Sequence, residues 1–188
     1  MVNLQGDTLF QAEDVEFGFP EGELVPFLMD DLIGFINKDG KVVIAPKFSS
    51  YPNVLVFSKF KNGHAKVYDE KSGKFGLIDT LGNWKFSPRY TDISFYSDIV
   101  AAKRGEFWEF FDTRQNRKWN RRFATAESFA GPTAVVMDEN RYGLFGRNGE
   151  FVLEPKYLEI INLTDKLLRL KDENGFWITD KLGNKKIP

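Results

Sequence analysis

One sixteen-residue pattern recurs along the chain and constrains the fold more than any other property. Its clearest copy is Phe75–Tyr90, FGLIDTLGNWKFSPRY, and the same order of residue types returns in Ile33–Phe48 and Tyr142–Tyr157. Two weaker copies occupy Trp108–Phe123 and Phe176–Pro188. A pattern that returns at such intervals is the signature of a repeat protein, in which each copy buries its apolar side against a neighbour.

The turn inside each copy gives the register of the repeat. The turn residues are Gly40, Gly82, Gln115, Gly149 and Gly183. Successive turns therefore lie 42, 33, 34 and 34 residues apart. We expect five repeats, at about residues 17–48, 49–90, 91–123, 124–157 and 158–188. Together they predict a single β domain spanning 17–188, preceded by a cap or disordered segment at 1–16.

Each repeat is predicted to be a three-stranded meander. In the second repeat the expected strands are Ala65–Asp69, Phe75–Asp79 and Asn83–Phe86, because β-branched and aromatic residues alternate there and no helical periodicity is sustained. Pro88 is expected to end the third strand. The aromatic residues two positions after this proline position are expected in the core, at Phe48, Tyr90, Phe123 and Tyr157.

The turns carry a chemical signature of tight hairpins. The side chain of Asp79 can accept a hydrogen bond from the turn backbone, and Gly82 can take the left-handed conformation that the hairpin requires. The third copy keeps Asp112 but has Gln115 at the glycine position, so Asn116 is expected to supply the positive φ. These features predict the same hairpin turn in successive copies.

Two closures of the five repeats are open. An open, curved β stack leaves two edges to protect, whereas a closed five-bladed ring removes them. The predicted count of three strands per repeat favours the open stack, since propeller blades usually have four strands. The second repeat is longer than the others, and its apolar segment Asn53–Phe57 is expected to be an extra strand or a packed loop.

Composition excludes several classes of function. The chain has no cysteine, which excludes disulfides, thiolate metal sites and cysteine nucleophiles. Its net charge of −1 gives the whole chain no bias toward nucleic acid or anionic membranes. It shows no signal-peptide pattern and no apolar run long enough to span a bilayer. We therefore expect a cytoplasmic protein with no membrane association.

The repeats resemble the WG repeat family of bacterial β-repeat proteins. The pattern aromatic-Gly-hydrophobic-Ile-Asp, followed by a turn Gly and by Pro-basic-Tyr, is carried by Phe75–Asp79 and Pro88–Tyr90, and the lead-in by Phe60–Ala65 and Phe129–Ala134. The resemblance covers about nine-tenths of the chain. Two copies depart from it, with Glu109 and Trp177 at the glycine position. It implies binding or scaffolding and supplies no catalytic residue.

Catalytic candidates are few. His64 is the one histidine, and nothing beside it resembles a nucleophile motif, so a structural role is favoured. Acidic residues crowd the segment before Lys38, at Glu13, Asp14, Glu16, Glu21, Glu23, Asp30 and Asp31. A carboxylate pair could hydrolyse glycans, but a solvated acidic face gives the same pattern. We expect no enzyme activity, no cofactor and no metal site.

The opposite charge collects in the third repeat. The candidate binding residues there are Arg104, Trp108, Arg114, Arg117, Lys118, Trp119, Arg121 and Arg122. Cations interleaved with aromatics can bind phosphate and stack on bases, although a charged face over an aromatic core gives the same pattern. The leading hypothesis is a non-catalytic protein-binding module of an immunity, antitoxin or scaffolding type. The alternatives are a nucleic-acid or anionic-ligand binder that uses this repeat, and a glycan hydrolase.

Overall fold

The described part of the chain is built from β strands alone. The computed structural model describes residues 15–19, 22–51, 58–96, 98–114, 117–127, 129 and 131–187. Within them there is no helix, and hence none long and apolar enough to cross a membrane. The predictions made for Asn53–Phe57, for Asn116 and for most of segment 1–16 lie outside the described residues. The predicted all-β class is confirmed.

The strands follow one another as antiparallel hairpins. The first two repeats hold β1 (Glu16–Phe17), β2 (Val25–Met29), β3 (Leu32–Ile36), β4 (Val42–Ser49), β5 (His64–Asp69), β6 (Lys74–Asp79) and β7 (Trp84–Tyr90). The third repeat holds β8 (Asp92–Tyr96), β9 (Ile99–Arg104), β10 (Phe107–Asp112) and β11 (Arg117–Phe123). The fourth repeat holds β12 (Thr125–Ala126), β13 (Thr133–Asp138), β14 (Arg141–Gly146) and β15 (Phe151–Tyr157). The fifth repeat holds β16 (Glu159–Asn162), β17 (Leu167–Asp172), β18 (Gly175–Asp180) and β19 (Lys185–Ile187).

The repeats contain more strands than the sequence predicts. The third, fourth and fifth repeats each form a four-stranded sheet, because a short strand precedes the predicted meander in each of them. The first two repeats share a seven-stranded sheet, in which Ser49 on β4 pairs with Tyr68 on β5. The strand order is linear in every sheet, so the described strands form open sheets and no closed barrel.

The chain divides into two compact units, Met1–Ile93 and Ser94–Pro188, each with its own core. In the first unit the core cluster includes Phe35, Phe48 and Phe60, and Phe35 packs edge-on against Phe60 at 5.0 Å between ring centroids. The core of the second unit includes a cluster around Phe110 and Phe145, whose rings stack at 5.7 Å. The four predicted core aromatics Phe48, Tyr90, Phe123 and Tyr157 are all buried, which confirms that prediction.

The proline after each turn lies inside a strand instead of ending one. β7 continues through Pro88 to Tyr90, so the predicted strand end is wrong. Tyr90 pairs with Phe75 and Phe86 pairs with Leu77, which leaves Gly76 alone opposite the three residues 87–89. Proline is tolerated in such a bulge because its missing N–H is not needed for a ladder hydrogen bond.

The turns agree with the predicted chemistry. The carboxylate of Asp79 accepts hydrogen bonds from the backbone N–H groups of Leu81 and Asn83 at 3.0 and 2.9 Å. Gly82 takes a φ of +79°. Although burial raises the pKa of Asp79, hydrogen bonds from Asn83 and Leu81 more than offset this and hold the pKa below its ordinary value. The turn is thus locked by one side chain and one glycine.

The turn of one repeat packs on the last long strand of the repeat before it. A side chain added at Gly82 would meet Ile44 of the first repeat at 3.0 Å. One added at Gly149 would collide with the indole of Trp119, and one added at Gly183 would meet Leu153 at 3.1 Å. Ile44, Trp119 and Leu153 stand at the same position of their repeats, four residues after the turn residue. One type of contact therefore joins successive repeats at these three places.

Candidate functional site

The eight predicted binding residues of the third repeat lie in three different environments. Two tryptophans belong to packed layers, two cations pair with a buried carboxylate, and the remaining four arginines reach the surface. The third repeat therefore does not bring the whole predicted set together on one face.

The tryptophans are structural. Trp119 is 3% exposed and packs edge-on against Phe145 at 6.2 Å between ring centroids. Trp108 is partly buried against the same cluster, and Phe123 is buried within it. Because these rings are packed, they do not form an open platform on which nucleic-acid bases could stack.

Lys118 and Arg122 bind the carboxylate of Glu109. Glu109 is 1% exposed, its Oε2 lies 3.0 Å from Lys118 Nζ, and its Oε1 lies 2.9 Å from Arg122 Nε. A buried carboxylate is costly unless it is paired, so these two cations stabilise the sheet. Sequence analysis noted Glu109 only as a departure from the repeat pattern. The signal it missed is the placement of two cations on the neighbouring strand.

The four other arginines differ in their partners. Arg121 lies over the ring of Phe151 at 4.7 Å. Arg114 lies 3.7 Å from Asp98, which also forms a 2.7 Å ion pair with Arg147. Arg104 and Arg117 are exposed and form no ion pair with any residue that the structure describes. Arg117 and Arg121 both stand on β11, which is an edge strand of its sheet.

Of the candidate catalytic residues, His64, Asp30 and Asp31 make local turn contacts, whereas Glu13, Asp14 and Glu21 lie outside the described residues. The Nδ1 atom of His64 lies 2.9 Å from the carbonyl oxygen of Asn62, which places the imidazole in its own hairpin turn. Asp30 and Asp31 form the tight β2–β3 turn with positive φ angles of 50° and 61°. Among the described residues, no group of three or more histidines or carboxylates is placed to hold a metal ion.

A cleft of about 380 Å³ opens between the first two repeats. It is lined by Lys47, Phe48, Ser49, Tyr68, Asp69, Gly82, Asn83 and Trp84. Trp84 is 42% exposed and packs edge-on against the buried ring of Phe48 at 5.4 Å. Tyr68 continues the aromatic surface toward Tyr51 and Phe75, whose ring centroids lie 4.9 and 5.2 Å from it. Sequence analysis did not find this cleft, because three separate segments form it.

The polar groups of the cleft are held in place by neighbouring backbone. Lys47 Nζ donates to the carbonyl oxygen of Gly82 at 3.1 Å. Ser49 Oγ accepts a hydrogen bond from the N–H of Glu70 at 3.1 Å. Asp69 Oδ2 accepts two hydrogen bonds from Ser72, which lower the pKa of Asp69 below its ordinary value.

A second site that sequence analysis missed is the lysine in the turn of the fifth repeat. Lys181 is buried, its Nζ contacts the side-chain oxygen of Asn162, and its carbonyl oxygen accepts a 3.3 Å hydrogen bond from Thr133. Burial lowers the pKa of Lys181, while the charges of Asp165 and Glu127 act in the opposite direction. The hydrogen bond from Thr133 ties the turn of the fifth repeat to the fourth, and the contact with Asn162 ties it to β16 of its own repeat.

Residues 33–69 and 75–108 match a known family, described as WG containing repeat. Over these two segments the chain is similar to WG repeats. The match begins in the first repeat and extends into the third, which confirms the predicted resemblance. No curated protein sequence matches the chain.

Two solved structures are similar to this chain at low sequence identity. The first is a eukaryotic initiation factor, with 11% identity and a TM-score of 0.49, and the match covers 95% of this chain and 56% of the factor. The second is Hsv2p of Kluyveromyces lactis, with 15% identity and a TM-score of 0.47, and the match covers 90% of this chain and 73% of Hsv2p. The chain thus spans little more than half the length of the initiation factor.

The glycine of the aromatic-Gly pair in these WG repeats has a steric role. A Cβ at Gly34 would lie 2.9 Å from the carbonyl oxygen of Ile44, and one at Gly76 would lie 2.8 Å from that of Phe86. Gly143 shows the same approach to Leu153 at 2.7 Å. The missing side chain lets the bulged strand with its proline come close to the facing strand.

Proposed function

We propose that this WG-repeat protein is a non-catalytic binding module whose partner is a protein with an acidic contact surface. The observation that carries the proposal is the composition of β11 (Arg117–Phe123), an edge strand with five of its seven side chains exposed. Four of those five are Arg or Lys. An edge strand also offers unpaired backbone N–H and C=O groups to an incoming chain.

Charge selects the partner. Lys118 and Arg122 are already paired with Glu109, so Arg117 and Arg121 are the cations that remain available along the strand. Cationic side chains on an edge discourage pairing with a copy of the same strand, and they favour an acidic segment. Nucleic acid has less support, because the tryptophans of this repeat are packed instead of exposed for stacking.

The test is a pull-down from a lysate of the source organism with three baits, each with and without nuclease. The baits are the wild type, an Arg117→Glu/Arg121→Glu variant, and a Lys38→Glu/Lys41→Glu control. The two lysines of the control are exposed and lie in the β3–β4 turn of the first repeat. We expect a discrete protein that survives nuclease, is lost from the arginine variant and at high salt, and is retained by the control. Nuclease-sensitive capture, or equal capture by all three baits, would overturn the proposal.

A narrower proposal concerns the role of the captured protein. The acidic segment before Lys38 and the basic third repeat give the chain a charge asymmetry that suits neutralisation of a bacterial toxin. A captured partner whose toxic activity falls in a stoichiometric complex supports this immunity-type role. A partner whose activity is unchanged in the complex supports scaffolding instead.

A further inference from the structure

We infer that the cleft between the first two repeats is a binding site for an uncharged saccharide. The cleft and β11 share no residue, so this inference stands or falls independently of the proposed protein partner. Its volume of about 380 Å³ lies within the range of small-molecule sites.

The aromatic wall of the cleft has an exposed, fixed ring. The indole of Trp84 is held by the edge-on contact with Phe48 and lies against Gly76, where a Cβ would collide with its six-membered ring. Although so held, the side chain keeps 42% of its surface exposed. A rigid, amphipathic ring of this kind packs well against the C–H face of a sugar, with little loss of side-chain entropy.

The polar groups of the cleft offer both donors and acceptors. Lys47 Nζ uses one proton on Gly82 and keeps two, and Ser49 Oγ accepts from Glu70 while its own proton is available. Asp69 is bonded to Ser72 through Oδ2 alone, and Asn83 is bonded to Asp79 through Nδ2, so each has a side-chain oxygen without a partner among the described residues.

The balance of charge favours a neutral ligand. One cationic and one anionic residue, Lys47 and Asp69, line the same cleft. A phosphate would be attracted by the ammonium but repelled by the carboxylate, and the reverse holds for a simple cation, so neither ion is favoured by both groups. A neutral ligand whose hydroxyl groups both donate and accept hydrogen bonds satisfies all four polar side chains at once. A saccharide combines such hydroxyls with an apolar ring face.

The first experiment uses the full chain and three trisaccharides, namely maltotriose, cellotriose and chitotriose, with a proline-rich decapeptide as a comparison ligand. Saturation-transfer difference NMR detects binding at a ligand concentration of about 10 mM, which suffices for a dissociation constant near 1 mM. We expect saturation transfer to at least one saccharide and a shift of the Trp84 indole N–H resonance on its addition.

Variants locate the binding. Trp84→Leu removes the ring and Lys47→Met removes the donor while keeping an aliphatic stem, and each is expected to weaken saccharide binding by about tenfold or more. Phe176→Leu is the control, because Phe176 is an aromatic side chain, 52% exposed, on the fifth repeat. Circular dichroism checks that each variant is folded. If Trp84→Leu unfolds the protein, Lys47→Met and the Trp84 resonance still decide the matter.

Three results would overturn the inference. The first is no saturation transfer to any of the three saccharides. The second is saccharide binding that is unchanged in both cleft variants. The third is a Trp84 shift produced by the proline-rich peptide alone, which would assign the same aromatic surface to an extended peptide.

Discussion

The second and third repeats solve the same packing problem with different residues. In the second repeat, Gly76 faces the bulge that contains Pro88. In the third repeat, Glu109 stands at the glycine position and pairs directly with Arg122. The extra residues there face Phe110, so the bulge is displaced by one residue along β10.

The difference shows what the glycine does. Where the side chain is absent, the facing strand bulges toward it and a proline is accommodated. Where a side chain is present, the strands pair in register at that point, and a buried carboxylate must then be neutralised from β11. The third repeat therefore relies on charge pairing where the second repeat relies on the absence of a side chain. Different substitutions should destabilise the two repeats.

The largest effect is expected from removing the cations of Glu109. A Lys118→Gln/Arg122→Gln variant leaves a buried carboxylate without counter-charges, which costs about 3 to 5 kcal/mol in free energy of unfolding. Adding Glu109→Gln should restore more than half of the loss. Urea unfolding measures both values, with Lys38→Gln/Lys41→Gln as a charge-matched control. Equal stabilities of the double and triple variants would contradict the electrostatic role of this group.

The turn glycines test whether the third repeat keeps the common contact with its successor. Gly149→Ala strains a φ of +86° and drives a methyl group into Trp119, so we expect a loss of about 3 kcal/mol. Gly131→Ala strains a similar φ of +78°, but beyond its chain neighbours no heavy atom of the described residues lies within 4 Å of the added carbon. Its expected loss is about 1 kcal/mol. Thermal unfolding of the two variants separates the cost of the steric clash with Trp119 from the cost of backbone strain. Equal losses of stability would show that the clash contributes nothing.

Substituting alanine at the equivalent positions of the second and third repeats extends the comparison. Gly76→Ala brings a Cβ to 2.8 Å from the carbonyl oxygen of Phe86 and should cost about 2 to 3 kcal/mol. Glu109→Ala leaves a backbone that already accommodates a Cβ, and its two cations can return to water, so about 1 kcal/mol is expected. Denaturant midpoints of the two variants provide the measurement. A larger loss for Glu109→Ala would reverse our interpretation of the two repeats.

The smallest effect is expected in the turn of the second repeat. The pKa of Asp79 is lowered in the folded state, so its contribution to stability is present above its ordinary value of 3.8 and is lost as pH falls through the folded value. Asp79→Asn keeps the turn, as Asn37 does in the first repeat, but removes this dependence. The wild type should be slightly more stable than the variant at neutral pH, and this gap should narrow at an acidic pH below 3.8. Urea unfolding at both pH values checks this, and a gap that widens in acid would contradict it.

Much of the fold could be predicted because its determinants are local. Asp79 and Gly82 specify a turn within four residues, and buried aromatics such as Tyr90 recur at a fixed distance from it. The position of Pro88 inside β7 could not be predicted in this way, since it depends on a glycine on another strand. The added strands, such as Thr125–Ala126, are too short to show a period.

The candidate functional surfaces were less predictable, for a physical reason. Sequence shows that cations and aromatics occur together along β11, but it does not show that Trp119 points into the core while Arg121 covers Phe151. The cleft requires Lys47, Tyr68 and Trp84 to converge from three strands, and each residue alone is unremarkable in composition. Prediction therefore worked for the local turns and failed where the role of a residue depends on a neighbouring strand.

The contact that joins successive repeats also has a consequence for how such chains grow. The turn at Gly149 packs against Trp119 of the preceding repeat, and Leu153, four residues later, packs against the turn at Gly183. A tandem duplication of about one repeat length copies both halves of this joint together. The copied repeat therefore already contains the residues that contact its neighbours on both sides. A gene of this kind can lengthen by one repeat in one step, without compensating substitutions elsewhere.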